Sequence, residues 1–268
     1  MPSPPYLYKY EAFTTRALLN LKCQIIYFGS PLNFNDPYDC ALTPNLVTPD
    51  DAEVESIRKA YLAKSDLPAR TRHEFEAFDV EKLRQILLRS AKAAFRESVD
   101  EFLEKRGVAC FSERNDDLLM WSHYGGHYKG FCLEFDTSVE GLSKFLPVRY
   151  VAELPPLSIT SVLVDQDFDA VVELFCTKSS AWSYEKEWRA IHSQAGTAYG
   201  YPAPALTGIY FGPDIDAQSL EIACLILTGQ NEHVRFWRGS RSTTEFRVLF
   251  EPFTYTSHLE AKRRSLIK

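Results

Sequence analysis

The sequence predicts an α+β fold: a mainly antiparallel mixed sheet with most of its helix gathered in one inserted block. Strand-like runs, alternating or rich in β-branched and aromatic residues, occur in the first thirty residues and return after Gly107. Between them, residues 50–106 are charged, Ala-rich and poor in glycine, with apolar residues at helical spacing. The count of strands against helices favours an α+β arrangement, and no internal repeat or low-complexity tract suggests otherwise. The expectation is one domain over 1–268, with a helical insertion at 50–106 of two or three helices.

Taken in order, "YLYKY" alternates as a strand, and "TTRALLNLK" is a Thr-capped helix with an apolar stripe. "CQIIYFGS" is a second strand, ended by Gly29 and Ser30, that feeds the turn-rich loop "PLNFNDPYDC". In the insertion, Val80, Leu83, Leu87, Ala91, Ala94, Phe95, Val99 and Phe102 follow Asp79 at helical spacing until Gly107 stops the run. "GVACFS" is a short buried strand. "DDLLMWSHYGG" is a helix with acidic residues in its first turn and glycines at its end. "GFCLEFD" alternates, placing Cys132, Glu134 and Asp136 opposite Phe131, Leu133 and Phe135. After "FLPVRYV" and a helix in "DAVVELFCTKS", the expected strands are "WSYEKEWRAI", "LTGIYFGP", "ACLILT" and "EFRVLFEPF".

At 45% apolar and 25% charged residues, the composition is that of an ordinary globular protein. A net charge of −6 argues against a general nucleic-acid coat, although Lys262, Arg263, Arg264 and Lys268 cluster near the end. No apolar run is long enough to span a bilayer, and the N-terminus lacks the layout of a secretory signal. Six dispersed cysteines with no C-x-x-C pair fit neither a disulfide framework nor a zinc knuckle. The expected location is cytoplasmic, with no membrane partner.

Three clusters carry potential chemistry. In "SAWSYEKEWRAI", alternation puts Glu185 and Glu187 on one strand face, where burial of paired carboxylates is costly unless something compensates them. The pair reads either as functional or as a surface ladder with Lys186 and Arg189. In "FNDPYDC", Asn35, Asp36 and Asp39 either form a substrate- or metal-binding loop or cap a turn fixed by Pro37. His123 and His127 share an i, i+4 interval, but Gly125 and Gly126 break the helix between them, so no metal pair is expected. His123 or Tyr124 packs near the sheet instead, donating to a buried carboxylate such as Glu134.

"LYKY", "IIYFGSPLNFNDPYDC", "FSERNDDLLMWSHYGGHYKGFCLEFD", "VRYV" and Lys178 followed by "WSYEKEWR" together resemble the bacterial domain-of-unknown-function family numbered 2971. Members of such a family occur among bacterial and phage-defence genes. The Glu-x-Glu strand is more distantly similar to the ADP-ribosyltransferase superfamily. That resemblance implies an ADP-ribosyltransferase-like sheet and NAD as substrate, with no metal. It makes Glu187 the stabiliser of an oxocarbenium ion and Glu185 the acceptor-side residue. It also implies that Lys9 or Tyr10 holds the nicotinamide ribose and that Tyr27 or Ser30 lines the nicotinamide pocket. Asn35, Asp36, His123 and Tyr124 complete the expected binding set. The expected partners are a macromolecular acceptor, protein or nucleic acid, and a protein that neutralises a toxic activity. The alternatives are a metal-dependent nucleic-acid-processing effector using Asp36, Asp39 and Glu134, and a non-enzymatic sensor or partner-binding protein.

Overall fold

The computed structural model describes residues 3–40, 45–142, 144–165, 168–231 and 233–266. The elements run β1 Tyr6–Glu11, α1 Thr15–Cys23, β2 Ile25–Phe28, β3 Asn45–Leu46, α2 Asp51–Leu62, α3 Ala69–Ala77, α4 Val80–Lys105 and β4 Gly107–Ser112. They continue with α5 Leu118–His123, β5 Phe131–Asp136, β6 Leu146–Pro147, β7 Arg149–Val151, β8 Pro156–Leu157, α6 Phe168–Phe175, β9 Thr177–Ser179 and β10 Glu187–His192. The last are β11 Thr197–Gly200, β12 Leu206–Phe211, α7 Ala217–Thr228, β13 Arg235–Arg241, β14 Val248–Phe253 and α8 His258–Arg263. The result is the α+β class, with a large mixed sheet that is mostly antiparallel.

The chain divides into two compact units. The first is built from residues 1–29, 107–148 and 181–268, and the second from 30–106 and 149–180. The second therefore contains the helical block and also draws on a later stretch of sequence.

In the first unit the eight strands lie in the order β14-β13-β12-β5-β1-β4-β10-β6, and β12 and β13 are parallel. One face is hydrocarbon. Leu7, Phe111, Leu133, Trp188, Ile209 and Phe211 pack there with Ala17 and Leu21 of α1 and Ala223, Cys224 and Leu227 of α7. Thr14 caps α1 through its side chain, which accepts from the Ala17 N–H at 3.2 Å. The opposite face carries Tyr10, Cys132, Tyr210 and Val248 under Met120 and Trp121 of α5. β2 pairs with β11 in a separate two-stranded sheet.

In the second unit, the stripe Leu83, Leu87, Ala91, Phe95, Val99 and Phe102 is buried along α4. Asp79 caps this helix by accepting from the Lys82 N–H at 2.8 Å. Val54 and Ile57 of α2 and Phe75 of α3 close on the first half of the stripe. Phe102 stacks on Phe175 with centroids 3.7 Å apart. Two short parallel pairs, β3 with β8 and β7 with β9, complete the unit.

Two sequence expectations need correction. "ACLILT" is the second half of α7, because Asp216 caps a helix upstream through the Ser219 N–H and Ala223, Cys224 and Leu227 recur on its buried side. A short apolar run has no period of its own that separates strand from helix. "WSYEKEWRAI" is strand only from Glu187. Ser180–Glu185 is a 3-10 turn, and Lys186, at φ 45°, turns the chain into β10.

Candidate functional site

Register places polar side chains in one row across the first unit. Arg235 lies beside Gly208, Gly208 opposite Glu134, Glu134 opposite Tyr8, Tyr8 opposite Ser112, and Ser112 opposite Glu187. Neighbours across a sheet share a face, so six strands contribute to one line. Ser112, Glu134 and Glu187 are buried. Unpaired carboxylates at such positions would cost several kcal/mol each.

Glu134 is compensated by four donors. The hydroxyls of Tyr210 and Tyr8 donate to Oε2 at 2.7 and 3.3 Å, and Thr207 and Arg235 donate to Oε1 at 2.7 and 3.0 Å. A register shift between Leu206 and Gly208 turns the Thr207 hydroxyl toward the carboxylate. Gly208 makes room, since a Cβ there would stand 3.2 Å from Oε1. Burial first, and the Glu134 contact next, raises both tyrosine pKa values, so both phenols stay protonated donors at neutral pH.

Glu187 is held by a fork. Arg189, two residues on and wholly buried, donates Nε to Oε1 at 2.8 Å and Nη2 to Oε2 at 3.0 Å. Such a bidentate pair fixes the carboxylate plane as well as its position. The Cys110 thiol, opposite Arg189 in register, is also a neighbour, and burial followed by the Glu187 charge pushes its pKa up. Glu185 sits in the turn before Lys186. Its Oε1 accepts from the Tyr124 hydroxyl at 2.6 Å, and its backbone carbonyl accepts from the Ser112 hydroxyl at 2.6 Å. Sequence alternation paired the two glutamates on one strand. The left-handed residue between them breaks that alternation, and separate partners hold each.

The other expected residues scatter. Tyr10 is packed edge-on against Trp121 and donates to the Arg114 carbonyl at 2.9 Å. Lys9 is opposite Leu133, on the hydrocarbon side, with its ammonium 3.4 Å from Glu11. Tyr27 pairs with Ala198, under the Arg16 guanidinium. The adjoining Gly29 bridges to Val108, four residues along β4 from Ser112, which is about 13 Å of strand. Neither Lys9 nor Tyr27 is therefore beside Glu187, because β1 turns Lys9 to the other face and β2 leaves the main sheet. His123 shares a 2.9 Å hydrogen bond with the Tyr184 hydroxyl. Tyr124 does donate to a buried carboxylate, as expected, but that carboxylate is Glu185, and Glu134 takes its donors from other residues.

Ser30, Asn35, Asp36 and Asp39 belong to the second unit. The Ser30 hydroxyl donates to the Leu103 carbonyl at 3.3 Å, and Asn35 is exposed. Asp36 forms the expected turn, its Oδ1 accepting from the Tyr38 N–H at 2.9 Å. The same loop also walls a cavity of about 230 Å³, between Asp36, Tyr38, Val151, Leu154, Thr177 and Lys178. Lys178 and Asp39 are buried and paired at 3.3 Å. Among the described residues, no group of three His, Cys, Asp or Glu side chains is arranged to hold a metal ion. With Asp39 on Lys178 and Glu134 on four donors, neither offers the open oxygens of the metal-dependent alternative.

Tyr8, Ser112, Tyr210 and Arg235 were not singled out from sequence. Alternation in "YLYKY" announces the face of Tyr8, whereas no local pattern announces a serine that becomes central only through pairing of distant strands. No helix among the described residues is long and apolar enough to cross a membrane. Neither curated proteins nor solved structures give a match to the chain. Residues 120–190, which carry Tyr124, Glu134, Lys178, Glu185, Glu187 and Arg189, match the model of the family described as "Protein of unknown function (DUF2971)".

Proposed function

We propose that the first unit is an NAD-consuming, ADP-ribosyltransferase-like enzyme centred on Glu187. The observation that carries the reading is the registered row Tyr8, Ser112, Glu187 on three adjacent strands. The superfamily resemblance asks for a ribose-side residue, a hydroxyl residue and a carboxylate on three conserved strands. Tyr8 and Ser112 take those places here, in preference to Lys9, Tyr10, Tyr27 and Ser30.

In this reaction the bond between ribose C1′ and the nicotinamide nitrogen breaks, and its electron pair leaves with nicotinamide. Glu187 faces the positive charge that grows on the ribose, in an orientation Arg189 fixes in advance. Tyr8 lies on the ribose side. Glu185, in its own turn and anchored by Tyr124, takes the proton of the attacking acceptor, which is water or a group on a protein or nucleic acid. A toxic or antiviral role follows if the acceptor is essential to the host, and a neutralising protein partner would then be needed.

The test is release of free nicotinamide from NAD by the purified chain, with mixed protein and nucleic acid supplied as acceptors. Wild type should release it. Glu187→Gln, which keeps shape and one hydrogen-bonding oxygen, should lower the rate about 10²-fold or more. Ser112→Ala gives a second readout that leaves the Glu187–Arg189 pair intact. A wild-type protein that releases no nicotinamide under these conditions removes the proposal. A Glu187→Gln protein that keeps its rate assigns the pair to structure alone.

A further inference from the structure

A second region of the first unit has a different chemistry. Where β13 begins and β14, the sheet's outer strand, ends, a groove of about 790 Å³ opens between Asn231, Arg235, Phe236, Trp237, Phe253 and Tyr255. Its volume lies within the usual range of about 300–1,000 Å³ for ligand sites. Phe236 packs on Phe253 and Tyr255, with centroids 5.9 and 6.5 Å away. Trp237 lies parallel to Tyr210 at 5.5 Å, and the Arg235 guanidinium carbon is 5.9 Å from the Trp237 ring.

Among the described residues, Arg235 is the charged residue that lines the groove, and its side chain is 59% exposed even though one nitrogen is committed to Glu134. The local charge agrees. From Val234 onward the sequence holds eight Lys and Arg against three Glu and no Asp, within a chain of net charge −6. Arg238 of β13 is exposed as well, and so is Arg241, although its guanidinium is paired with the Asp214 carboxylate. Trp237 also keeps its indole N–H buried without an acceptor among the described residues.

Aromatic planes interleaved with exposed arginines in an otherwise acidic chain suit a ligand with repeated aromatic faces and repeated negative charge. We infer that the groove binds single-stranded nucleic acid, with bases stacked on the half-buried aromatic rings that line it and phosphates on Arg235. The inference is independent of the NAD chemistry, because binding is read with no NAD present.

The experiment is anisotropy of a labelled 15-nucleotide single strand with the full chain, beside a duplex of the same sequence and unlabelled AMP as competitor. Arg235→Gln should weaken binding about tenfold, but Arg235 also neutralises buried Glu134. Thr254, exposed at the rim of the groove, therefore carries the decisive pair. Thr254→Glu should weaken and Thr254→Lys strengthen binding, each by about threefold for one charge some 6 Å from a phosphate in water. Affinity for the strand should fall as salt rises, with a slope of about −0.7 per phosphate contacted. No binding by wild type, or binding indifferent to both Thr254 changes, overturns the inference. So does a duplex bound as tightly as the strand, or displacement by AMP at equal molar concentration, which would assign the groove to free nucleotides.

Discussion

The two faces of the eight-stranded sheet use the same pleat for opposite ends. On one face, Leu7, Phe111, Leu133, Ile209 and Phe211, whose side chains carry no polar atoms, pack with residues of α1 and α7. On the other, Glu134, Glu187 and Arg189 are just as buried, and each is held by polar partners. The hydrocarbon face is tolerant in kind and demanding in volume. The polar face is the reverse, since its cost depends on whether a partner remains.

Single deletions on the two faces should be equally damaging yet respond differently to a second change. Phe211→Ala is expected to cost about 3–5 kcal/mol through lost burial and the cavity left behind. Arg189→Met should cost a similar amount, about 3–5 kcal/mol, by leaving the Glu187 carboxylate buried without its guanidinium. Adding Glu187→Leu to Arg189→Met should then recover most of that loss, because an apolar pair of similar volume has no charge to desolvate. No second deletion recovers Phe211→Ala. Urea unfolding of the two single variants and the double mutant measures this, and a double mutant no more stable than Arg189→Met alone would show that the pair does more than compensate itself.

Within the polar face, donor geometry ranks the next effects. Tyr210→Phe removes a 2.7 Å bond to the Glu134 carboxylate and should cost about 1.5–3 kcal/mol. Tyr8→Phe removes a 3.3 Å bond to the same oxygen and should cost clearly less. Equal losses would mean that Glu134 shifts to rebalance its donors.

The hydrocarbon face was the more legible of the two in the sequence. Alternation in "GFCLEFD" specifies which side chains turn inward there, as the stripe after Asp79 does for α4 in the second unit, because burial writes a period into local sequence. The polar face is written across the chain instead. Ser112 meets Glu187 only because β4 pairs with β10, and Glu134 meets Tyr210 only through β5 and β12. No local window contains both members of either pair. The Glu-x-Glu pattern was visible but misplaced, since Lys186 at φ 45° gives no composition cue of the kind a glycine would. β13 was missed for a related reason: "VRFWRGSR" carries charge at every third position and mimics no amphipathic strand.

The smallest expected effect separates the faces by pH. Tyr8 and Tyr210 have pKa values raised by burial and by Glu134, so the folded protein keeps both neutral where the unfolded chain ionises them, near pH 10. The unfolded state then binds fewer protons than the native one, and stability must fall as pH rises. The contribution is complete below about pH 10 and is lost as the pH climbs from there toward the folded-state values. Each tyrosine accounts for at most about 1.4 kcal/mol per pH unit. Tyr10 and Tyr201, also raised by burial, add a background slope that the comparison must subtract. The Tyr8→Phe, Tyr210→Phe double variant should therefore be less stable at pH 8 yet lose less between pH 10 and pH 11 than wild type. Phe211→Ala, equally crippled or more so, should keep the full wild-type slope. Parallel slopes in all three proteins would place the Glu134 cluster in contact with water, where a phenol titrates the same folded or unfolded.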